Sequence, residues 1–340
     1  MACGDCHTAA VTSDGRLYTF GDGGFGQLGH GDTRGKLQPT EVKGLLAGFK
    51  RVACVSCAAC HTAVATDDGC VFTFGVGRLG QLGLGDIKGR LSPCLVGGVL
   101  QDKHVSMVSA GNCHTAAVTS EGLLFVWGDG EFGQLGLGTT RRHLTPEQVE
   151  GGDLVDDKVA SVSCGHYHTA CATMQGNVLT WGDGQQGQLG LGDCTGRYKP
   201  CRLLGALLDK RVCAVAAGDC HTVCVTAPDD SGPGRIFSWG GGSFAQTGLG
   251  HKMDVNVPNE VGGLPPASQV CAVSCGAIHT CVETEDRRIF TWGNTWGDSS
   301  EACARAEVTL HPSEVQSVCK GRKCTTSRDS ALSSLPWPLW

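Results

Sequence analysis

Residues 164–193, CGHYHTACATMQGNVLTWGDGQQGQLGLGD, decide the fold of this chain, because variants of this pattern recur along almost all of its 340 residues. The pattern combines a Gly-x-x-His-Thr start, a glycine after a short polar turn, an aromatic-glycine pair and a Gly-Gln-Leu-Gly sequence. Successive starts lie about 53 residues apart, and a fixed period of this length is typical of repeat architectures. The anchor residues are His7, His61, His114, His168, His221 and His279; Phe20, Phe74, Trp127, Trp181, Trp239 and Trp292; and Gln27, Gln81, Gln134, Gln188 and Gln246.

Each unit is predicted to form about four short strands. In the third copy, residues 114–119 (HTAAVT) end at the turn sequence Ser120-Glu-Gly122, and residues 123–127 (LLFVW) favour a pleated surface. Glycine corners follow, and residues 159–162 indicate the strand that leads into the next start. Sustained apolar periodicity of helical length is missing from the sequence. Four-stranded sheets repeated around an axis predict an all-β fold, a β-propeller.

The Gly-x-x-His-Thr, Trp-Gly-x-Gly and Gly-Gln-Leu-Gly-x-Gly-Asp sequences resemble the repeats of the RCC1 family, named for the regulator of chromosome condensation, over roughly residues 2–292. The resemblance implies an RCC1-type propeller, usually of seven blades. The founding member binds chromatin and exchanges nucleotide on the GTPase Ran, but its basic tail has no counterpart here. Plant ultraviolet receptors of this fold carry tryptophan in the start motif. The equivalent positions here hold Asp5, Ala59, Asn112, Asp219 and Ala277, with Tyr167 one place later, so we expect no light-sensing cluster.

The blade number stays open at this point. Six starts are clear, but the sixth unit lacks the Gly-Gln-Leu-Gly corner after Trp292. We favour a ring of six blades, closed by residues 307–318 pairing with the N-terminal strands; the alternative is an incomplete seven-bladed ring. We assign residues 1–318 to the propeller and residues 319–340 to a disordered tail, because the repeat pattern is lost there.

Composition limits the classes of protein and their location. The net charge is −6 with no block of like charges, so we do not expect direct nucleic-acid binding. The sequence has no long apolar run, so we do not expect membrane insertion. The N-terminus enters the repeat without a signal-peptide pattern. Of the 21 cysteines, Cys3, Cys57, Cys164, Cys275, Cys6, Cys60, Cys113 and Cys220 fall at two repeat positions that in other units hold alanine, tyrosine or isoleucine, which favours reduced packing residues. We therefore expect a cytoplasmic protein, with the nucleus as the alternative.

Three motifs that suggest chemistry are better explained by the repeat. Gly-x-Gly-x-x-Gly occurs in four copies, each followed by Gln-Leu-Gly rather than by the helix that a dinucleotide site needs. The pairs Cys3-x-x-Cys6 and Cys54-x-x-Cys57 arise where two repeating positions both happen to be cysteine, so we predict no zinc site. A histidine found in every unit indicates a structural role rather than a catalytic one. We expect no catalytic residue, no cofactor and no chemical catalysis.

One departure from the repeat is a candidate for partner binding. The fifth unit contains an insertion around residues 228–235, with Asp229, Asp230 and Arg235 as candidate contact residues. We predict an RCC1-like scaffold that binds a protein partner. The alternatives are a guanine-nucleotide exchange factor for a small GTPase, and the repeat domain of a larger kinase, ubiquitin ligase or lipid-binding protein.

Overall fold

The computed structural model describes residues 1–44, 50–155, 157–229, 232–264, 269–294 and, for the backbone alone, 306–308. Within these residues the chain forms six antiparallel sheets of four strands each, the blades of a propeller. The prediction of an all-β propeller with six repeats is confirmed. Helical structure among the described residues is limited to 3₁₀ turns at Gly98–Leu100, Gly152–Leu154 and Gly205–Leu207.

The strands run in chain order through the blades, from the innermost strand of each blade to the outermost. Blades one to three contain β1 (Ala2–Cys3), β2 (His7–Val11), β3 (Leu17–Gly21), β4 (Lys36–Glu41), β5 (Val52–Cys57), β6 (His61–Thr66), β7 (Val71–Gly75), β8 (Arg90–Val96), β9 (Val105–Ala110), β10 (His114–Thr119), β11 (Leu124–Gly128) and β12 (His143–Gln148). Blades four to six contain β13 (Val159–Cys164), β14 (His168–Thr173), β15 (Val178–Gly182), β16 (Arg197–Arg202), β17 (Val212–Ala217), β18 (His221–Thr226), β19 (Ile236–Gly240), β20 (Val255–Glu260), β21 (Val270–Cys275), β22 (His279–Thr284), β23 (Ile289–Gly293) and β24 (Ala306–Val308).

The anchor residues fix the register inside each blade. In blade four, His168 pairs with Gly182 and Thr169 pairs with Trp181 across β14 and β15. Gly182 has a φ of 107°, and a Cβ atom there would lie 2.4 Å from the Tyr167 carbonyl oxygen. Only glycine satisfies both constraints, so the aromatic-glycine pair ends the third strand of the blade.

The hydrophobic cores lie between consecutive blades rather than inside single sheets. One core joins Val178 and Leu207 of the fourth repeat to Cys224, Phe237 and Trp239 of the fifth. The second strands of blades two to five are buried along their whole length, as expected for sheets covered on both faces. Each repeat therefore depends on its neighbours for burial, as in other repeat proteins.

The predicted mode of ring closure is wrong where the structure describes it. Residues 306–308 form β24, which pairs with β23 as the outer strand of blade six and not with β1 or β2. The physical reason is that blade six otherwise has only three strands, and its own third strand offers the adjacent free edge. The rest of the predicted closing segment, and the predicted tail at 319–340, lie outside the described residues.

Candidate protein-interaction surface

The repeated histidines link each blade to the next. His61 Nε2 lies 2.9 Å from Thr115 Oγ1 of the following blade, and that hydroxyl donates to the Gln81 carbonyl oxygen at 2.8 Å. The same link joins the other consecutive pairs, namely His7 with Thr62, His114 with Thr169, His168 with Thr222 and His221 with Thr280. Each threonine therefore bonds across a blade boundary.

This geometry fixes the protonation of the histidines. Because the threonine hydrogen is already donated to the glutamine carbonyl, the imidazole must donate its Nε2 hydrogen to the hydroxyl oxygen. Nδ1 is then a bare, buried acceptor, and it has no hydrogen-bond partner within the described residues in His7, His61, His114, His168 and His221. Burial lowers the pKa of His61, His114, His168 and His221 to about 3 and that of His7 to about 4. All five are thus neutral structural groups.

The aromatic anchor residues add a second contact at the same junctions, because each bonds to the preceding blade. Trp181 is fully buried, and its indole Nε1 donates to the Gln134 carbonyl oxygen of the preceding blade at 2.9 Å. Gly136 allows this contact, since a Cβ atom there would lie 2.7 Å from Trp181 Nε1. Trp127, Trp239 and Trp292 make equivalent bonds to the carbonyl oxygens of Gln81, Gln188 and Gln246. These repeat anchors hold the scaffold together.

The glutamine side chains stiffen the corners of the blades. Gln188 Oε1 accepts the Gln186 backbone N–H at 2.9 Å, and Gln188 Nε2 donates to Asp183 at 2.9 Å. Gln27 makes the same pair of contacts with Phe25 and Asp22. Of the anchor residues, Phe20 and His279 are half-buried, whereas the others in the structure are buried.

The innermost strands surround a central channel of about 1050 Å³. Small residues, hydroxyls and thiols line most of it, including Ser109, Ala110, Cys164 and Ala216. The channel is therefore large enough to admit a ligand, but few charged side chains along its length could recognise one. The turns that join the first and second strands form one mouth of the channel; they are Gly-x-x-His in five blades and Ala-x-x-His, from Ala58, in blade two.

Charged and polar side chains gather at this mouth. Asp5, Asn112, His166 and Asp219 each occupy the position after the glycine of a start, and all four line the channel. The backbone links neighbouring turns, since Asp219 N–H donates to the Ala277 carbonyl oxygen at 3.1 Å. Burial raises the pKa of the Asp219 carboxyl, His166 lowers it and Asp5 raises it further. The mouth therefore carries an acidic pair that a cationic group would stabilise.

An aromatic row approaches the same mouth from blade three. The rings of Phe132 and Tyr167 have centroids 4.5 Å apart, and the rings of Tyr167 and His166 stack at 4.0 Å. All three side chains are half-buried, so their remaining surface faces solvent. Phe132 belongs to a glycine corner and His166 to a start, so the row connects two kinds of loop. We call Asp5, Asn112, Phe132, His166, Tyr167 and Asp219 the mouth surface.

The predicted contact residues of the fifth-unit insertion do not belong to the mouth surface. They lie on the hairpin between β18 and β19. Asp229 forms a bridge with Gly232, and Arg235 pairs with Glu260 of β20 at 3.3 Å. Both side chains of that ion pair are exposed, at 41% and 49%, so the pair adds little stability. Asp230 lies outside the described residues. The hairpin remains a candidate contact site.

Other binding chemistries can be checked over the same part of the chain. Among the described residues, no group of three or more His, Cys, Asp or Glu side chains could hold a metal ion. The cysteines described are free thiols, and burial raises the pKa of Cys54, Cys57, Cys113 and Cys164 to about 12. None of the helices in the described ranges has the length and hydropathy to span a membrane.

Sequence reasoning missed the mouth surface, although a signal was present. The position two residues before the start histidine holds Asp5, Ala59, Asn112, His166, Asp219 or Ala277, whereas the histidine and the threonine after it are the same in all six units. Variable positions inside a fixed frame point to contact residues. The aromatic row could not be found in this way, because Phe132 and Tyr167 are far apart in sequence and meet only across a blade boundary.

Comparisons with known proteins agree with this architecture. The model of the RCC1-like domain matches residues 46–331, and that of the RCC1 repeat matches residues 14–65. The chain is 36% identical to the ultraviolet-B receptor UVR8 of Arabidopsis thaliana over 296 residues, covering 86% of this chain and 64% of the receptor. It is 34% identical to the X-linked retinitis pigmentosa GTPase regulator of Canis lupus familiaris over 93% of this chain and 36% of the relative.

Other matches extend the same pattern. The human E3 ubiquitin-protein ligase HERC2 is 34% identical over 83% of this chain, which spans 6% of the ligase. Human WBSCR16 superposes with a TM-score of 0.72 at 25% identity, covering 83% of this chain and 71% of that one. Prp20p of Saccharomyces cerevisiae shares the fold, with a TM-score of 0.76 at 19% identity, over 91% of this chain and 76% of its own. The six linked four-stranded blades and these matches together place the chain in the RCC1-repeat family.

Proposed function

We propose that this chain is a regulatory protein-binding domain and that its contact face is the mouth surface. The observation that carries the proposal is the contrast between buried positions that hold the same residue in every unit and the mouth position two residues before each start histidine, which holds aspartate, alanine, asparagine or histidine. Histidine, threonine and glutamine positions are occupied by inter-blade bonds in every completed junction. The side chains of Asp5, Asn112 and Asp219 take no part in these histidine, threonine and glutamine bonds and line an opening, although the backbone N–H groups of Asn112 and Asp219 do bond to the next blade.

The chemistry of the mouth surface indicates the kind of group it binds. The half-buried rings of Phe132, His166 and Tyr167 provide an apolar contact, and the partly buried Asp219 carboxyl, which interacts electrostatically with His166, provides a charge partner, as in the centres of protein interfaces. Burial raises the pKa of Asp219, so a counter-charge from a partner would stabilise its ionised form. A lysine or arginine side chain of a partner supplies that charge, and the stacked rings of His166 and Tyr167 add an apolar contact surface.

A small GTPase is the second candidate partner, favoured by one relative. The 34% identical canine protein is named as a GTPase regulator, and the chain spans 36% of that protein. An exchange factor needs no covalent chemistry, because it stabilises the nucleotide-free GTPase by binding it more tightly than the loaded form. A rigid propeller with a preformed face suits that task. The ligase activity named for HERC2 is not proposed for this chain.

Binding to a panel of purified small GTPases tests both proposals. Each GTPase is immobilised in its nucleotide-free and GDP-bound forms, and the affinity of the chain is measured by biolayer interferometry. An exchange factor binds the nucleotide-free form more tightly and accelerates the release of a fluorescent nucleotide. A regulatory scaffold binds a partner without that preference. Equal and negligible binding across the panel removes the GTPase candidate.

Two variants test the site. Asp219→Lys reverses the charge at the mouth and should weaken binding of any partner found by at least about tenfold, which corresponds to about 1.4 kcal/mol. Glu150→Lys makes the same charge change at an exposed position outside the mouth surface and should leave the affinity within about twofold. If both variants bind as tightly as the unmodified chain, the contact face lies elsewhere, and the hairpin with Asp229 and Arg235 becomes the next candidate.

A further inference from the structure

The Gly-Gln-Leu-Gly corner between the third and fourth strands of a blade packs its leucine against the third strand. In blade four, the hydroxyl of Thr180 on β15 donates to the Leu189 carbonyl oxygen at 2.6 Å, and both residues are buried. In blade three, Val126 and Leu135 hold these two positions, and the pair contains no hydroxyl. The same hydroxyl bond as in blade four joins Thr19 to Leu28 in blade one and Thr73 to Leu82 in blade two.

Blade five differs from these blades at both positions. Ser238 replaces the threonine of the third strand, and Thr247 replaces the leucine of the corner, which here reads Ala-Gln-Thr-Gly. Both side chains are 0% exposed. Neither Ser238 Oγ nor Thr247 Oγ1 has a hydrogen-bond partner among the residues that the structure describes. A buried hydroxyl without a partner destabilises a folded protein, so two of them at one contact need an explanation.

The backbone of this corner is held in the same path as in the other blades. Gly248 N–H donates to the Ala245 carbonyl oxygen at 3.0 Å, and the equivalent bond of blade four measures 2.9 Å. The Gln246 carbonyl oxygen accepts the Trp292 indole N–H at 2.9 Å, as in the other junctions. Ala245 even keeps a φ of 57°, a conformation that favours the glycine found there in blades one to four. The corner is thus fixed by these bonds and does not move inward to compensate for smaller side chains.

The side chains of blade five fill less of the corner than those of blade four. Ser238 and Thr247 together contain two non-hydrogen atoms fewer than Thr180 and Leu189. The leucine normally extends far into the corner, since its Cδ1 in blade one would lie 3.2 Å from a Cβ atom on Gly23. Threonine has no δ carbon and does not reach so far. The difference leaves room for one water molecule, whose share of liquid volume is about 30 Å³.

We propose that the corner of blade five binds one buried water molecule between the hydroxyl groups of Ser238 and Thr247. The Thr247 carbonyl oxygen is the third polar group, because it holds the place of the leucine carbonyl that accepts a hydroxyl in blade four. The water accepts a hydrogen from one hydroxyl and donates to the other hydroxyl and to the carbonyl oxygen. Three hydrogen bonds are typical of a buried water. The site lies apart from the mouth surface and does not depend on the function proposed for it.

The chemistry of the corner selects water over other ligands. The two side chains are uncharged, so they offer no counter-charge to an ion. Two hydroxyls in a space this small need a ligand that both donates and accepts hydrogen bonds, which excludes an apolar molecule. The buried histidine Nδ1 atoms differ from this site, because the start glycine fills the space beside them. A Cβ atom on Gly165 would lie 2.6 Å from His168 Nδ1.

A crystal structure of the full chain that shows ordered waters tests the proposal directly. Electron density for one water should lie within about 2.6–3.2 Å of both Ser238 Oγ and Thr247 Oγ1. The proposal is overturned if the Ser238 hydroxyl instead donates to the Thr247 carbonyl oxygen and no density for a water is present beside the two side chains.

Thermal unfolding of isosteric variants tests it in solution. Thr247→Val keeps the shape of the side chain but removes one partner of the water, so the melting temperature should fall by at least about 2 °C. Ser238→Ala should have a similar effect, and the double variant should fall by no more than about 1 °C further, because the same water is lost once. A rise in melting temperature for Thr247→Val would show a dry, unsatisfied hydroxyl, and additive losses would show two independent hydroxyls; either result refutes the bound water. The control is Thr140→Val at an exposed position, which should change the melting temperature by less than about 1 °C.

A filling variant tests whether the corner has room for the water. Ser238→Thr combined with Thr247→Leu gives blade five the pair found in blade four, which satisfies the hydroxyl and occupies the space. The melting temperature should rise by at least about 2 °C, and the density for the water should disappear from the crystal structure of this variant. A fall in melting temperature would mean that the larger side chains do not fit, so that the corner has no room for a water and the proposal fails.

Discussion

Mild acid should unfold this propeller through its buried histidines. Five imidazoles, of His7, His61, His114, His168 and His221, are 0–3% exposed and are neutral in the folded chain. Burial holds four of their pKa values at about 3 and that of His7 at about 4, against an ordinary value of 6.5. Below pH 6.5 the unfolded chain takes up protons that the folded chain refuses. Stability is therefore complete above pH 6.5 and falls as the pH drops toward the folded pKa values.

The size of the effect follows from proton linkage. At pH 5 each histidine with these pKa values lowers the free energy of unfolding by about 2 kcal/mol, so the five together remove about 10 kcal/mol. A total stability in the usual range of about 5–15 kcal/mol then vanishes between about pH 6 and pH 4.5. Carboxyls with lowered pKa values lose their contribution at lower pH than this window. Asp68 and Asp193, with pKa values of about 2, lose their contribution only below their ordinary value of 3.8.

Urea unfolding followed by tryptophan fluorescence from pH 7.5 to pH 5 measures this dependence. The informative variant is His168→Gln, because the glutamine amide retains an N–H donor for Thr222 but does not titrate in this range. It should reduce the slope of unfolding free energy against pH by one proton, or about 1.4 kcal/mol per pH unit. The matched control is His104→Gln, at an exposed histidine.

Two results would refute the reasoning. Unchanged stability of the unmodified chain between pH 7 and pH 5 would mean that these histidines are protonated in the folded protein or reach solvent. An equal loss of slope in His168→Gln and in His104→Gln would show that burial at the junction is not the cause. Direct titration of the imidazole signals by NMR would then identify which histidine accepts a proton.

Three further predictions concern packing and thiols. Trp181→Ala should lower the free energy of unfolding by about 3–5 kcal/mol, because a fully buried ring is removed; a loss below about 1 kcal/mol in chemical denaturation would contradict this packing. Gly136→Ala should lower the free energy of unfolding by more than about 1 kcal/mol in the same assay, since φ is 70° and the new Cβ meets Trp181. The control is Gly97→Ala, which has open space around it and should lower the free energy of unfolding by about 1 kcal/mol less than Gly136→Ala does. Burial raises the pKa of the Cys164 thiol to about 12 from an ordinary 9.0, so its stabilising effect is complete below pH 9 and is lost as the pH rises toward 12. Reaction with a thiol reagent at pH 8 should accordingly be slow at Cys164 and fast at the exposed Cys194, and equal rates would contradict the burial.

The fold was predictable because local and long-range signals agree. The strand predicted at residues 114–119 is β10 with the same bounds, and the strand predicted from Val159 is β13. The repeat period predicted the number of blades, and the glycine of each aromatic-glycine pair indicated where the third strand of a blade ends. Ring closure was not predictable in this way. Whether β24 joins β23 or a distant N-terminal strand depends on which free edge lies nearer, and the sequence of a short outer strand does not specify it.

The roles of the anchor residues were harder to foresee than their positions. A repeating histidine indicates structure, but the sequence does not show that its partner lies in the next repeat, 54 residues from His61 to Thr115. The partners of the threonine could not be foreseen either, because a hydroxyl at a strand start usually bonds locally. Only the assembled junction shows one hydroxyl accepting from an imidazole and donating to the Gln81 carbonyl oxygen.

The histidine–threonine bond between blades also explains why the residues at the mouth of the channel can vary. His168 uses Nε2 for the next blade, and Gly165 stays small because a Cβ atom there would lie 2.5 Å from the imidazole. The two residues between them, His166 and Tyr167, have no part in that contact and can differ from blade to blade. The start motif thus separates scaffold residues from mouth residues within five positions. On the proposal that the mouth surface is the contact face, chains with the same scaffold bind different partners by exchanging mouth residues alone, without any change to the bonds that hold the blades together.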